Sequence, residues 1–377
     1  MNYIGIILDH TLKDGTHPTD FSLSFRPARE WIVHAFDALG CPCIFPADLG
    51  ESFSSAEIFS QKIRELAEGR GVILTYGVFP LLTAETLREA IDLCQEECRP
   101  IGIDTDEDIP AFAAVFPPDW EGSFANPSAE ILCQPEEEIP VYPTAYLALR
   151  NAAKERILLQ HLAAGVDILS GDGVMIEPGV LIGKGAQIFP GTILRGKTVI
   201  GEGCVIGPNS TITDSVVGAG SKILSSVLTQ STVGENTTIG PFTQLRPNSV
   251  VGNRVKIGDF VEIKNSTIGD ETSVAHLTYV GDSDVGRKVN FGCGVVTVNY
   301  DGAKKHRTTI GDYAFIGCNT NLVSPVAIGE NAYTAAGTTI TEDIPDDSLA
   351  IGRPRLEVKK DWVLKRLGKR RYQAPAE

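Results

Sequence analysis

Between Arg246 and Lys305 the chain gathers side chains that could carry chemistry: Arg246, Glu262, Lys264, Asn265, His276, Tyr279, Asn290, Asn299 and Lys305. Three are cations in a protein of formal net charge -15. Such a local excess suits an anionic substrate such as a sugar phosphate. One is an imidazole, in the run Ser273-Val274-Ala275-His276-Leu277-Thr278-Tyr279, and imidazole titrates where a general base must work. On residues alone, a single histidine in a repetitive scaffold is more often a structural hydrogen-bonder. The grouping marks a place before it marks a reaction.

The element that must position these groups is a hexapeptide repeat over about 174–344. From Ile176 an aliphatic residue recurs at every sixth position through Ile182, Ile188, Leu194, Ile200, Ile206 and Ile212, and again through Val233, Ile239, Leu245, Val251, Ile257 and Ile263. Glycine often follows, as in Ile200-Gly201 and Ile257-Gly258. A helix would place aliphatics three and four apart, and a half-buried strand would alternate them by two. A period of six predicts a parallel β-helix: a triangular coil with three short strands per turn, one aliphatic pointing inward per side. Two passages break the period. Residues 214–228 shorten one or two coils. Residues 296–308 include Asn299-Tyr300-Asp301-Gly302-Ala303-Lys304-Lys305-His306, which lacks the repeat and holds a turn signal in Asp301-Gly302. A loop thrown out of a solenoid is often its functional part. Such coils pack side by side, usually as trimers with substrate between chains, and the 296–308 loop is expected to reach a groove of that kind.

Residues 1–140 read as α/β. Strands are expected at 3–8, 43–45 and 71–76, and helices at 28–39, 55–68 and 84–98, the last with Leu87, Ala90, Ile91 and Cys94 on one face. Alternating strands and helices favour a mostly parallel sheet. Residues 135–143 are acidic and Pro-bearing, as linkers are. A helix over 145–164, with Leu147, Leu149, Ala152, Ile157 and Leu158, should end near Gly165. The expected division is therefore an α/β domain at 1–140, linker and helix at 141–167, the β-helix at 168–354, and a basic tail at 355–377. The tail carries Lys359, Lys360, Lys365, Arg366, Lys369, Arg370 and Arg371, either a solvated helix face or a polyanion site.

At 377 residues, 42% hydrophobic and 21% charged, the composition is that of an ordinary globular protein. No apolar run is long enough to span a membrane. The opening Met1-Asn2-Tyr3-Ile4-Gly5-Ile6-Ile7-Leu8 reads as a first strand rather than a signal peptide. Eight scattered cysteines suggest reduced thiols and a cytoplasmic location. Neither Cys41-Pro42-Cys43 nor the Cys94/Cys98 pair has a second pair at finger spacing, so no metal site is expected. The negative charge argues against nucleic acid as a partner.

From about 145 to 352 the chain closely resembles the acetyltransferase half of the bifunctional N-acetylglucosamine-1-phosphate uridyltransferase / glucosamine-1-phosphate N-acetyltransferase family. The strings that carry the likeness include Leu245-Arg246-Pro247, Gly258-Asp259-Phe260-Val261-Glu262-Ile263-Lys264-Asn265 and His276-Leu277-Thr278-Tyr279. Others are Val289-Asn290-Phe291-Gly292-Cys293-Gly294 and Val298-Asn299-Tyr300-Asp301-Gly302, followed by Lys305-His306. The resemblance implies a left-handed β-helix, a homotrimer with active sites between chains, and acetyl-CoA as cosubstrate. It places the general base on His276. Arg246, Lys264 and Lys305 fall on the contacts to the sugar phosphate. Tyr279 and Asn299 fall on its phosphate and amine end, and Asn290 lines the same pocket. Cys293 falls on a backbone donor near the thioester carbonyl. Cys318 and Ala336 fall on acetyl-CoA positions, Cys318 where a serine is expected, and Arg353 on a cation serving the CoA phosphates.

The first 140 residues resemble the family's nucleotidyltransferase half in degenerate form. The pattern LxxGxGTRM is represented by Leu8-Asp9-His10-Thr11-Leu12-Lys13-Asp14-Gly15-Thr16-His17, with His17 at the arginine. The pattern YGDxPLL is represented by Tyr76-Gly77-Val78-Phe79-Pro80-Leu81-Leu82, with Val78 at the metal-binding aspartate, and Tyr142 stands at a second metal ligand. A valine offers no oxygen to a hard cation, so Mg²⁺ and UTP are not expected. The resemblance therefore implies acetyl transfer to glucosamine 1-phosphate for UDP-N-acetylglucosamine synthesis, a peptidoglycan precursor. Two alternatives stand beside it: an enzyme that also retains UTP-dependent uridylyl transfer, and a non-catalytic regulatory trimer.

Overall fold

The computed structural model describes residues 2–8, 22–23, 26–46, 56–76, 78–105, 111–124, 127, 129–135, 137, 139 and 145–368. Residues 9–17, Gly77, Tyr142 and the tail cations Lys369, Arg370 and Arg371 lie outside them. No helix among the described residues is long and apolar enough to cross a membrane.

The chain divides into two compact units, residues 1–219 and 220–377. The first opens with β1 (Tyr3–Ile7), a short antiparallel pair β2 (Ser22–Leu23) and β3 (Arg26–Pro27), α1 (Ala28–Ala38), β4 (Cys43–Ile44), α2 (Ala56–Ala67), β5 (Gly71–Thr75) and α3 (Ala84–Glu97). There follow β6 (Ile101–Asp104), β7 (Ala113–Phe116), β8 (Ala129–Leu132) and α4 (Tyr146–Ala163). The main sheet runs β4-β1-β5-β7-β6-β8. Its two faces are both covered. Tyr3, Ile7 and Ile73 pack with Ile32 and Phe36 of α1 and with Leu87 and Ile91 of α3. Ile4, Ile6 and Leu74 pack with Phe59 and Ile63 of α2. A strand buried on both sides reads as an unbroken apolar run, and β1 and β5 do.

The sheet is mixed rather than mostly parallel. β1 pairs with β4 and β5 in parallel, and β6 with β8, but β7 lies antiparallel between β5 and β6. The reason is chain length. Too few residues separate Asp104 from Ala113 for a parallel crossover, which needs about a dozen, so the chain turns straight back. On α4, Leu149, Ala153 and Ile157 are buried, while Leu147 is exposed. The inward stripe is rotated from the one expected.

The hexapeptide reading is borne out as a left-handed parallel β-helix. In the first unit Met175 lies opposite Ile193, and Ile193 opposite Thr211, each eighteen residues on. The repeating aliphatics Ile176, Ile188, Leu194, Ile200, Ile206 and Ile212 are buried. Ile182, on the strand Leu181–Ile182 that ends its sheet, is only half-buried. The coils tighten where the period breaks: Val199 lies opposite Val216 and, in the second unit, Lys222 opposite Thr238. A second inward column, two residues before each aliphatic, consists of small side chains such as Thr198, Ser210, Thr237, Thr243 and Thr272, all buried. Their hydroxyls donate to backbone carbonyls, Thr237 to Gly252 at 2.8 Å and Thr243 to Gly258 at 2.6 Å. That removes the cost of burying them, about 1–3 kcal/mol for each unpaired group. Several corners place Asn or Asp at positive φ, among them Asn236, Asn248, Asn265 and Asp282, the residue types that tolerate it best.

Candidate active site

All the candidate residues lie in the second unit, and two successive features of its coils hold them. One is the sheet that contains Gln244–Leu245, Glu262–Lys264, Tyr279–Gly281 and Val296–Val298. Its register sets Glu262 between Gln244 and Tyr279, and Lys264 opposite Gly281. Arg246 donates from Nη1 to Glu262 Oε1 at 2.8 Å. The Lys264 ammonium is held below the usual lysine range, chiefly by Lys305, with Arg246 adding to the effect and Asp282 opposing it. Three cations therefore crowd one face without enough negative charge to balance them, and an anion placed there would relieve them. Gly281, opposite Lys264, makes room for Tyr279 and Asn299. A Cβ on it would run into the Tyr279 hydroxyl and stand 2.7 Å from Asn299 Nδ2.

Asn299 and Lys305 come from the passage that interrupts the repeat. Between Ser283 and its partner Thr308 the coil is seven residues longer than the eighteen of a regular turn. The excess is held at many points. His306 N–H donates to Asn299 O at 2.9 Å, and Tyr300 bridges Lys305. Asp301 accepts the N–H groups of Ala303 and Lys304, each at 2.8 Å, and lies 2.7 Å from His306 Nε2. These bonds, the Lys304 N–H first, drive the Asp301 carboxyl far below the usual carboxylate range. At the exit, Arg307 pairs with Asp284 and donates to Asn265 O and Ser283 O. The loop is fastened onto the coil beneath it.

The other feature is a corner. Asp259 lies directly opposite His276 in the register, and His276 Nδ1 is 2.7 Å from Asp259 Oδ1. That bond holds the Asp259 carboxyl below its ordinary value. With Nδ1 carrying the hydrogen, Nε2 is left with a lone pair directed outward, the tautomer a base requires. The same corner position on later coils is occupied by Cys293, Cys318 and Ala336, and the Arg353 side chain reaches the last of them. Cys293 O accepts from Asn319 N–H at 2.8 Å, Cys318 O from Gly337 N–H at 2.8 Å, and Ala336 O from Arg353 Nη1 at 2.6 Å. Residues spread over sixty positions of sequence therefore form one edge. Asn290 lies on the sheet leading into that corner, between Ser273 and Phe315, and not on the face that carries Arg246 and Lys264. Among the described residues no hydrogen bond joins His276 to the cation face.

Three side chains that organise these groups were not singled out from the sequence: Asp259, Asp282 and Arg307. Asp259 and Asp282 lie seventeen residues before and six after His276, close to one coil and a fraction of one. A search for acids one coil away from each candidate would have found both, since Asp282 lies seventeen residues from Asn265 and from Asn299.

The repeat is that of a class of transferases. The family model described as "Bacterial transferase hexapeptide (six repeats)" matches residues 179–214, 230–265 and 307–342. The unmatched intervals are the shortened coils and the stretch from Ser266 to His306 that carries His276, Tyr279, Asn299 and Lys305. The C-terminal half of the chain is homologous to the bifunctional GlmU proteins at about 50% identity. The protein of Clostridium acetobutylicum is 54% identical over 213 residues, 56% of this chain and 47% of that one. Those of Clostridium kluyveri and Brevibacillus brevis are 51% and 49% identical over 232 residues, 61% of this chain and about half of theirs. The chain spans about half the length of the curated relatives it matches. Among solved structures, LpxA from Acinetobacter baumannii is 21% identical with a TM-score of 0.32, covering 48% of this chain and 71% of that one, too distant to bear on function.

Proposed function

We propose that the chain transfers an acetyl group from acetyl-CoA to the amine of glucosamine 1-phosphate, with His276 as general base. The observation that supports this reading most is the 2.7 Å contact of His276 Nδ1 with Asp259, which orients Nε2 as an acceptor. Nε2 takes a proton from the substrate's ammonium, because nitrogen without a lone pair cannot attack. The free amine adds to the thioester carbonyl. The resulting oxyanion is met by the backbone N–H of Cys293, and collapse releases the CoA thiolate, which takes up a proton as the new amide nitrogen loses one. Arg246, Lys264 and Lys305 bind the sugar phosphate, with Tyr279, Asn290 and Asn299 fixing its orientation. Cys318, Ala336 and Arg353 line the path of CoA. A cysteine thiol is a weaker hydrogen-bonding group than the serine hydroxyl expected at 318.

In this reading the site is completed by other copies of the chain, as a homotrimer. Asn290 and the cation face lie on different sheets of one protomer. Beside His276, Phe242 and Phe260 stack at 5.5 Å while 60% and 58% exposed, with Leu277 exposed next to them. Such a ladder is what a neighbouring chain would cover. The α/β region, residues 1–140 in the division given above, is a nucleotidyltransferase-like domain without metal chemistry. Val78, at the metal-ligand position, is buried and supplies no oxygen.

The test is a thiol-release assay with acetyl-CoA across a panel of hexosamine phosphates, run with pyrophosphate detection from UTP and N-acetylglucosamine 1-phosphate. Glucosamine 1-phosphate should be the best acceptor and UTP inert. His276→Ala should lose about 10²–10⁴-fold in turnover with its assembly intact. Near-normal turnover by that variant would overturn the mechanism, and pyrophosphate release would overturn the account of the N-terminal domain.

A further inference from the structure

Asp282 has no part in the chemistry just described, yet it is the most enclosed carboxylate near it, 5% exposed. Its Oδ1 accepts from Asn265 Nδ2 at 2.5 Å, and its Oδ2 from Asn299 Nδ2 at 2.5 Å. Its main-chain N–H donates to Lys264 O at 3.0 Å, and its carbonyl accepts from Thr308 N–H at 3.1 Å. Asn299 is where the inserted loop leaves the coil, and Thr308 is where it returns. One residue therefore grips both stems of the loop with its side chain and its backbone, and ties them to the coil that carries Lys264. Asn299, 7% exposed, lies also 3.4 Å from the Tyr279 hydroxyl.

We infer that Asp282 is a positioning residue: its buried carboxylate clasps the stem of the 299–307 loop and so sets where Asn299 and Lys305 stand relative to Lys264. This rests on the proposed sugar-phosphate site. Both carboxylate oxygens are occupied by amides, so Asp282 does not meet the substrate itself. Without the acceptor, two buried amide groups lose their partner and the loop loses one of its anchors. The remaining anchors, Arg307 on Asp284 and His306 N–H on Asn299 O, hold the loop's own shape but leave its stem free to shift. The Asp282 charge also opposes the effect of Lys305 and Arg246 on Lys264.

The experiment compares Asp282→Ala with Asp282→Asn. An asparagine can accept from Asn299 and donate to a flipped Asn265, so it retains the clasp without the charge. Amide hydrogen exchange over residues 300–306 is read without substrate, and KM and kcat with glucosamine 1-phosphate and acetyl-CoA. In the alanine variant, exchange should quicken and KM for glucosamine 1-phosphate rise about tenfold or more. KM for acetyl-CoA should hold and kcat stay within about threefold. Asp282→Asn should recover both the exchange protection and most of the KM. Unchanged exchange and KM in the alanine variant would overturn the inference. So would equal impairment by alanine and asparagine, or a loss falling equally on both substrates. If Asp282→Ala does not fold, Asp282→Ser, too short to reach both amides, takes its place in the same comparison. Should the wild-type protein not turn over glucosamine 1-phosphate, the site reading fails, while the exchange data still decide whether Asp282 holds the loop.

Discussion

The coils around Ile188 to Ile212 and those from Leu245 to Thr308 are built on the same inward columns and differ in what they carry outside. In the first group the bonds that hold the structure are backbone ladders between successive coils and buried hydroxyls such as Thr198, which donates to Arg195 O at 2.6 Å. In the second group, side chains bond to side chains: Arg246 to Glu262, His276 to Asp259, Asp282 to two asparagines, Asp301 to His306 and Arg307 to Asp284. Side-chain pairs across coils also occur in regular turns, as Gln187 to Asp167 and Arg254 to Glu271, but around the inserted loop they converge on the candidate residues themselves. The repeat provides the scaffold and the places of Arg246, Lys264 and His276, and the interruption adds Asn299 and Lys305.

That contrast can be broken from either side. Ile206→Ala, in the regular coils and fully buried, should cost about 2–5 kcal/mol of stability by denaturant titration, while turnover per folded molecule is unchanged. A variant that loses activity in parallel would show that the scaffold and the site are not separable. Asp259→Asn should do the reverse. Its side chain is exposed enough that stability should shift little, whereas kcat should fall about tenfold or more as the His276 tautomer is no longer imposed. Unchanged kcat would remove Asp259 from the account.

The smallest effect concerns pH. Lys305 lowers the Lys264 pKa, so the Lys264 charge is complete at low pH and is lost, as pH rises, earlier than for an ordinary lysine. KM for glucosamine 1-phosphate should accordingly climb on the alkaline side from below the usual lysine range. In Lys305→Ala the onset should move to higher pH, since the repelling charge is gone. A profile that does not move would mean the two ammonium groups do not share one anion.

Much of the architecture was legible in the chain. Aliphatics at every sixth position, from Ile176 to Ile263, imposed the coil, and the strand runs at Tyr3 and Gly71 with the amphipathic helix from Ala84 marked the first elements of the α/β region. β7 was not legible. Ala113–Phe116 is short and apolar, and its antiparallel direction depends on how few residues follow Asp104. Nor was the column of buried serines and threonines, since their hydroxyls look exposed by type and are inside only because a carbonyl of the neighbouring coil receives them.

For the site, residue types and a family likeness mark His276, Arg246, Lys264, Tyr279, Asn299 and Lys305 in the sequence itself. The stacking of coils decided the rest. A residue's neighbour in this fold lies sixteen to twenty-five positions away, depending on where a coil tightens or a loop departs. Small changes in coil length therefore determine which acid meets which base. Asp259 reaches His276, and Asp282 reaches Asn265 and Asn299, through that register. Periodicity is local and survives in sequence. Pairing across coils depends on the accumulated length of everything between, and only the folded chain adds that up.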